Sequence, residues 1–352
     1  MGCESAERDW DVPFQLDVRL TLSVQGRGRG DPTFRADESG AIWRTSLTPD
    51  GPATLRVTSR GQALGQQALG QQALGQQALG QQALGQQALG QQALGTRVIA
   101  RAWGPGATWL LDALPGCLGL HDDVAGFDPG EHPLIRDSAR RNPGLRIGRS
   151  GRLMEALVPA ILEQKVVILE AHRAWKILLA KYGTVPPGPA PQGMRVFPGP
   201  AVWRRIPSWD WHRAGVEGVR AQTIMRAASV ADSLERLLDL THAEADRKLR
   251  TLPGIGVWTS AEARQRAAGD PDAVSVGDYH LSNIVGFALA GRDRTDDAGM
   301  LELLRPYEGH RYRVTRLIGL SAVRRPGVVP KRNAGGPPRR GPRMAIRDYR
   351  HF

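Results

Sequence analysis

The stretch Leu252-Pro253-Gly254-Ile255-Gly256-Val257-Trp258-Thr259 constrains this chain more than any other. One apolar-periodic segment ends at Leu252 and another starts near Val257, so two helices must be joined by only a few residues. Gly254 and Gly256 permit positive φ and let another backbone approach without a Cβ in the way. A turn this short leaves N–H groups unpaired at the start of the second helix, where they and the helix dipole suit a phosphate. Taken alone, the stretch fits either a plain helical hairpin or a grip on a nucleic-acid backbone that reads no bases.

Charge points the same way. The net charge of +12, with 47 Lys and Arg against 35 Asp and Glu, favours a polyanionic partner. Most of the excess is terminal. From Arg324 onward there are nine Arg or Lys against Asp348, in a Pro/Gly-rich segment that reads as a basic tail (324–352) and electrostatic tether. The only cysteines are Cys3 and Cys117, which excludes an iron–sulfur cluster, a four-thiolate zinc site or a disulfide scaffold. No apolar run approaches the ~20 residues that cross a bilayer. The N-terminus shows neither a basic n-region with an apolar stretch nor Ser or Thr at position 6, where Ala6 stands. The expectation is a cytoplasmic, nucleoid-associated monomer with no membrane contact.

The fold class expected is α+β. Residues 1–125 read as a small β-rich N-terminal domain, with strand-like alternation at 14–24 and 53–59 and a partner strand at 96–103. Between the last two lie six copies of Gln-Gln-Ala-Leu-Gly, 66–95, whose period of five matches neither strand nor helix. The segment 61–95 is therefore expected to be an expanded hairpin loop with no direct role in function. Residues 126–323 read as all-α: a long kinked helix over 152–182 closed by Gly183, a short helix from Ser208, another over 216–240, and a capping box at Thr241–Glu244. Further helices are expected at 258–269, 279–290 and 296–323. Trp203, Trp209 and Trp211 read as packing between helices.

Twenty residues beyond Trp258 an apolar stretch leads into Gly277-Asp278-Tyr279-His280-Leu281. Asp278 suits a helix cap, and a capping carboxylate can also turn one oxygen to a cleft. A third segment, Ala160-Ile161-Leu162-Glu163-Gln164-Lys165-Val166, starts near the other end of the helical region.

Together these three segments resemble the helix-hairpin-helix superfamily of DNA glycosylases, closest to the 3-methyladenine DNA glycosylase II branch. The family pattern LPGIGxWTA appears as LPGIGVWTS, its Asp-containing DDYL segment as GDYHL, and its AILGQ(Q/L)V start as AILEQKV. The resemblance spans roughly residues 125–322 and implies base flipping from double-stranded DNA, followed by cleavage of the N-glycosidic bond of alkylated bases. It maps the catalytic Asp onto Asp278, and the base pocket onto Trp258, Glu262 and Tyr279. It maps the DNA-binding positions onto Gly254, Ile255, Gly256, Thr259, Gln164 and Lys165. Bifunctional relatives carry a Schiff-base Lys where Trp258 stands, so a monofunctional enzyme is implied. No organic cofactor and no metal are implied beyond a monovalent cation at the hairpin carbonyls. Three departures stand out: Lys165 at the apolar wedge position, Glu262 where an aromatic is usual, and Gly277 in place of an acid. The substituted wedge and the repeat insertion keep open a non-catalytic protein on the same scaffold that recognises damaged or distorted DNA, and the basic tail keeps open an RNA-associated protein bound through it. Arg213, Arg220, Arg264 and Arg266 are the further phosphate contacts expected.

Overall fold

The computed structural model describes residues 5–60, 95–130, 132–321 and 323. The repeat expectation at 61–95 falls almost wholly outside them, and the basic tail, 324–352, does so entirely.

A five-stranded antiparallel sheet forms the N-terminal layer: β1 (Ser5–Val12), β2 (Phe34–Ala36), β3 (Ile42–Thr48), β4 (Gly51–Arg60) and β5 (Thr96–Trp103), in the order β1-β5-β4-β3-β2. The alternation read at 53–59 is a strand face: Ala53, Leu55 and Val57 are buried against helix α2 (Ala107–Cys117) with Leu110, Leu111 and Leu114. Strands β4 and β5 are partners as expected, with Thr54 opposite Trp103 and Arg60 opposite Arg97. The strand expected at 14–24 is instead a short helix, α1 (Val18–Leu22). Asp17 decides this locally, because its carboxylate accepts from the Leu20 N–H at 2.8 Å and caps the first turn. Val18 and Leu22, one turn apart, then face the same core.

The remainder is helical. In chain order come α3 (Pro133–Arg141), α4 (Leu153–Leu162), α5 (Ile168–Tyr182), α6 (Pro200–Arg205), α7 (Ser208–Ala214), α8 (Gly218–Ser229) and α9 (Ala231–Glu235). They are followed by α10 (His242–Leu249), α11 (Val257–Ala267), α12 (Leu281–Ala290), α13 (Asp297–Leu304) and α14 (Arg311–Leu320). The core of this region gathers α4, α5, α8 and α11 around Leu157, Ile161, Trp175, Trp203 and Ile224. A second cluster joins α3, α12, α13 and α14 through Ile135, Val285, Met300 and Leu317. Glu155 on α4 ties the layers together, accepting from Arg44 at 3.1 Å, the Ser46 hydroxyl at 2.7 Å and the Leu47 N–H at 2.8 Å.

Several boundaries differ from the periodicity reading. The single helix expected over 152–182 is two, α4 and α5, and the break is made by Lys165 at φ +52°, not by Pro159, which sits inside α4. The stretch 216–240 likewise divides between α8, α9 and a final 3-10 turn. Residues 296–323 form α13 and α14 around a second such turn. Apolar spacing continued in phase across these breaks, which is why the sequence read as longer helices. The capping box is present: the Thr241 hydroxyl accepts from the Glu244 N–H, and the Glu244 carboxylate accepts from the Thr241 N–H. Trp203 and Trp211 are buried and stacked at 6.0 Å, whereas Trp209 is exposed.

Candidate active site

The hairpin lies between α10 and α11. Gly254 has φ +95°, and Leu252 accepts from the Ile255 N–H at 3.0 Å to close the turn. Gly256 is the N-cap of α11 with extended backbone (φ −95°), so only the first glycine needs the left-handed region. No side chain caps α11, and its first turn opens toward a concavity lined by Arg247, Arg250, Thr251, Ile255, Gly256 and Val257. These arginines were not singled out from the sequence. Their signal was there, as a basic last turn running into the hairpin.

Gln164 clamps the hairpin from the α4–α5 break. Its amide donates to the Gly254 carbonyl at 2.9 Å and to the Thr259 hydroxyl at 2.8 Å. Thr259 and Ile255 are buried, and Lys165, next along, is exposed. The left-handed backbone at Lys165 is the one positive φ at a non-glycine among the described residues. It turns the chain so that Gln164 faces the hairpin and Val167, Ile168 and Leu169 face solvent.

Beyond α11, Asp278 stands beside Trp258. Its Oδ2 accepts from the indole Nε1 at 3.2 Å, and its Oδ1 accepts from the His280 and Leu281 N–H groups, each at 2.9 Å. The carboxylate thus caps the start of α12 while its other oxygen meets the aromatic. Tyr279 is 78% exposed and packs edge-on to His280 with ring centres 4.8 Å apart.

Glu262, one turn beyond Trp258 on α11, turns into a buried ionic cluster. Its Oε2 accepts from Arg266 at 2.6 Å and its Oε1 from the Ser275 hydroxyl at 2.5 Å. Burial opposes its ionisation, but the Arg266 charge and the Ser275 hydroxyl outweigh that and hold the carboxyl below the usual range. Three of the four arginines expected on phosphate are used inside the protein. Arg220 donates to the Leu162 carbonyl at 2.8 Å, Arg264 pairs with Asp270 and Asp246, and Arg266 with Glu262. Arg213 remains exposed. Each of the three sits at a helix position whose face the sequence did not reveal.

Among the described residues no group of three or more His, Cys, Asp or Glu comes together as a metal site, and no helix is long and apolar enough to cross a membrane.

A small antiparallel sheet followed by helices is a fold that this chain shares with solved DNA glycosylases. A 3-methyladenine DNA glycosylase from Archaeoglobus fulgidus superposes with TM-score 0.66 over 88% of this chain and 97% of that one, at 15% identity. An 8-oxoguanine glycosylase/lyase from Clostridium acetobutylicum superposes at 0.61, over 92% and 99%, at 13% identity. In sequence, the chain is homologous to the probable bifunctional transcriptional activator/DNA repair enzyme AlkA of Mycobacterium tuberculosis, 32% identical over 154 residues. That match covers 43% of this chain and 30% of the relative, so the chain spans about a third of the length of the curated protein it resembles. No family model matches the chain.

Proposed function

We propose that this chain is a monofunctional DNA glycosylase, hydrolysing the N-glycosidic bond of alkylated purines flipped out of duplex DNA. The observation that carries the reading is the Trp258–Asp278 pair held next to the hairpin. The hairpin supplies an uncapped helix start with Arg247 and Arg250 beside it, which suits a backbone phosphate. A base swung out of the stack can lie against the Trp258 ring, and its sugar then faces Asp278.

Bond cleavage builds positive charge on the sugar. The Asp278 carboxylate, its geometry fixed by two backbone N–H groups and one indole N–H, is organised before reaction to face that charge. At about 4 Å and an effective dielectric of about 20, the attraction is about 4 kcal/mol, or roughly a thousandfold in rate. The same carboxylate can orient the attacking water. An N-alkylated purine is already cationic and leaves without protonation, so a second acid is unnecessary.

Trp258 stands where bifunctional enzymes of the resembled family carry a Schiff-base Lys, which favours hydrolysis without strand cleavage. A monovalent cation at the hairpin is compatible with the carbonyls of Leu252 and Gly254. Each already accepts one N–H, from Ile255 and from Gln164, and keeps a second lone pair. Nothing in these side chains demands the ion, and no step depends on it. The reading is tested by incubating the protein with methylated duplex DNA, with and without borohydride. Free methylated purine, intact strands and no trapped covalent adduct are expected. Nicking with a borohydride-trapped adduct would contradict the monofunctional assignment.

A further inference from the structure

Four largely buried charges, Arg27, Glu163, Glu262 and Arg266, lie around α11 and the end of α4. Their side chains are 4%, 9%, 14% and 18% exposed. Burying such groups costs several kcal/mol each before pairing, and well-packed apolar residues would commonly be as stable or more so. What the cluster provides is geometry. Arg27 grips both oxygens of Glu163, at 3.1 and 3.3 Å, and donates to the Ala156 carbonyl at 3.3 Å. Glu163 immediately precedes Gln164, the clamp on the hairpin. On the other side, Arg266 is held by the Val24 carbonyl at 3.0 Å and in turn holds both the carboxylate and the carbonyl of Glu262. The free oxygen of Glu262 takes the Ser275 hydroxyl.

Ser275 is the hinge of the arrangement. Besides donating to Glu262, its hydroxyl accepts from Gln265 Nε2 at 3.0 Å, and its carbonyl accepts from the Asp278 N–H at 3.2 Å. It is 4% exposed, so no water substitutes readily for these partners. None of the four charges hydrogen-bonds to Asp278 itself, yet two hydrogen bonds and three residues of chain connect Glu262 to it.

We infer that Glu262 is a positioning residue: pinned by Arg266, it fixes Ser275, and through Ser275 the turn that sets the Asp278 carboxylate beside Trp258. The catalytic consequence rests on the glycosylase reading, whereas the positioning itself does not. The test uses the full chain as wild type, Ser275→Ala, Ser275→Thr and Glu262→Gln. Two quantities are measured: amide hydrogen exchange across residues 275–281, and single-turnover release of methylated purine at saturating protein, with DNA affinity determined in parallel. Losing one buried hydrogen bond corresponds to about a tenfold effect. Ser275→Ala and Glu262→Gln should speed exchange at Asp278, His280 and Leu281 about tenfold and slow release about tenfold, with affinity within about twofold. Ser275→Thr, which keeps the hydroxyl, should restore both. Unchanged exchange in folded Ser275→Ala overturns the inference, as does acceleration spread evenly over all helices. Faster exchange with wild-type release overturns its catalytic part. A wild type that releases no base defeats the activity reading, and exchange still decides the positioning.

Discussion

Two glycines only two residues apart should respond very differently to the same added methyl group. In Gly254→Ala the new Cβ would collide with the Thr223 hydroxyl and come within 2.7 Å of its Cγ2 and 3.0 Å of its Cβ. Thr223 is fully buried and cannot swing aside, its hydroxyl already donating to the Val219 carbonyl at 2.8 Å. Crowding of this kind costs about 1–3 kcal/mol. The residue must also hold φ +95°, which adds roughly 1–2 kcal/mol for an L-side chain. The sum, about 2–5 kcal/mol, is a large part of the ~5–15 kcal/mol that holds a protein folded. At Gly256 the backbone is extended and a Cβ meets nothing within 4 Å. Gly256→Ala should therefore change stability by no more than about 1 kcal/mol while weakening duplex-DNA binding, since the methyl stands at the open start of α11. Urea unfolding followed by circular dichroism measures the first effect and fluorescence anisotropy with labelled DNA the second. Adding Thr223→Ala to Gly254→Ala should show a favourable coupling of about 1–3 kcal/mol, the steric part, leaving the φ cost behind. Equal stability of the two Gly variants, or strict additivity with Thr223→Ala, would refute the reasoning.

Gln164→Ala removes two hydrogen bonds to the hairpin and should cost about 1–3 kcal/mol, seen as faster amide exchange at Ile255–Thr259. Lys165→Val puts a β-branched side chain at φ +52° and should cost about 1–3 kcal/mol of stability, lowering the urea midpoint; a midpoint at or above wild type would contradict the strain. Glu262 ionises more readily in the folded chain than its unfolded value near 4.3. Its contribution is then complete above that pH and fades as acid carries the pH through the lower folded value. Wild type should thus lose stability below about pH 4 more steeply than Glu262→Gln does, as read from urea midpoints between pH 3 and 6.

The sequence disclosed the parts of the site that depend on local chemistry. LPGIG implied a short hairpin, and Asp278 suited the cap of a following helix, because both statements need only nearby residues. Asp278 and Trp258 lie twenty positions apart, and only the three-dimensional packing brings Oδ2 to the indole at 3.2 Å. Glu262 read as a pocket wall because it stands where the resembled family carries an aromatic. Its inward turn joins Arg266 to Ser275, and no helical spacing rule reaches Ser275, which lies beyond the end of α11. The same limit applies to Arg220 and Arg264, whose charge suggested solvent or phosphate although they pair with two backbone carbonyls and two aspartates inside the fold. At the N-terminus, alternation at 14–24 lost to one capping carboxylate, Asp17. At Lys165 a single left-handed residue divided what periodicity read as one helix.

The proposed role of Asp278, stabilising the reacting sugar, is tested by single-turnover release of methylated purines from duplex DNA by wild type and by Asp278→Asn. The amide keeps an acceptor for Trp258 or for the α12 N–H groups but carries no charge. Release should fall by roughly a thousandfold while affinity for the methylated duplex stays close to wild type. Equal release by both proteins would contradict the claim. Loss of DNA binding or of folding in Asp278→Asn would leave Asp278 as a helix cap and nothing more.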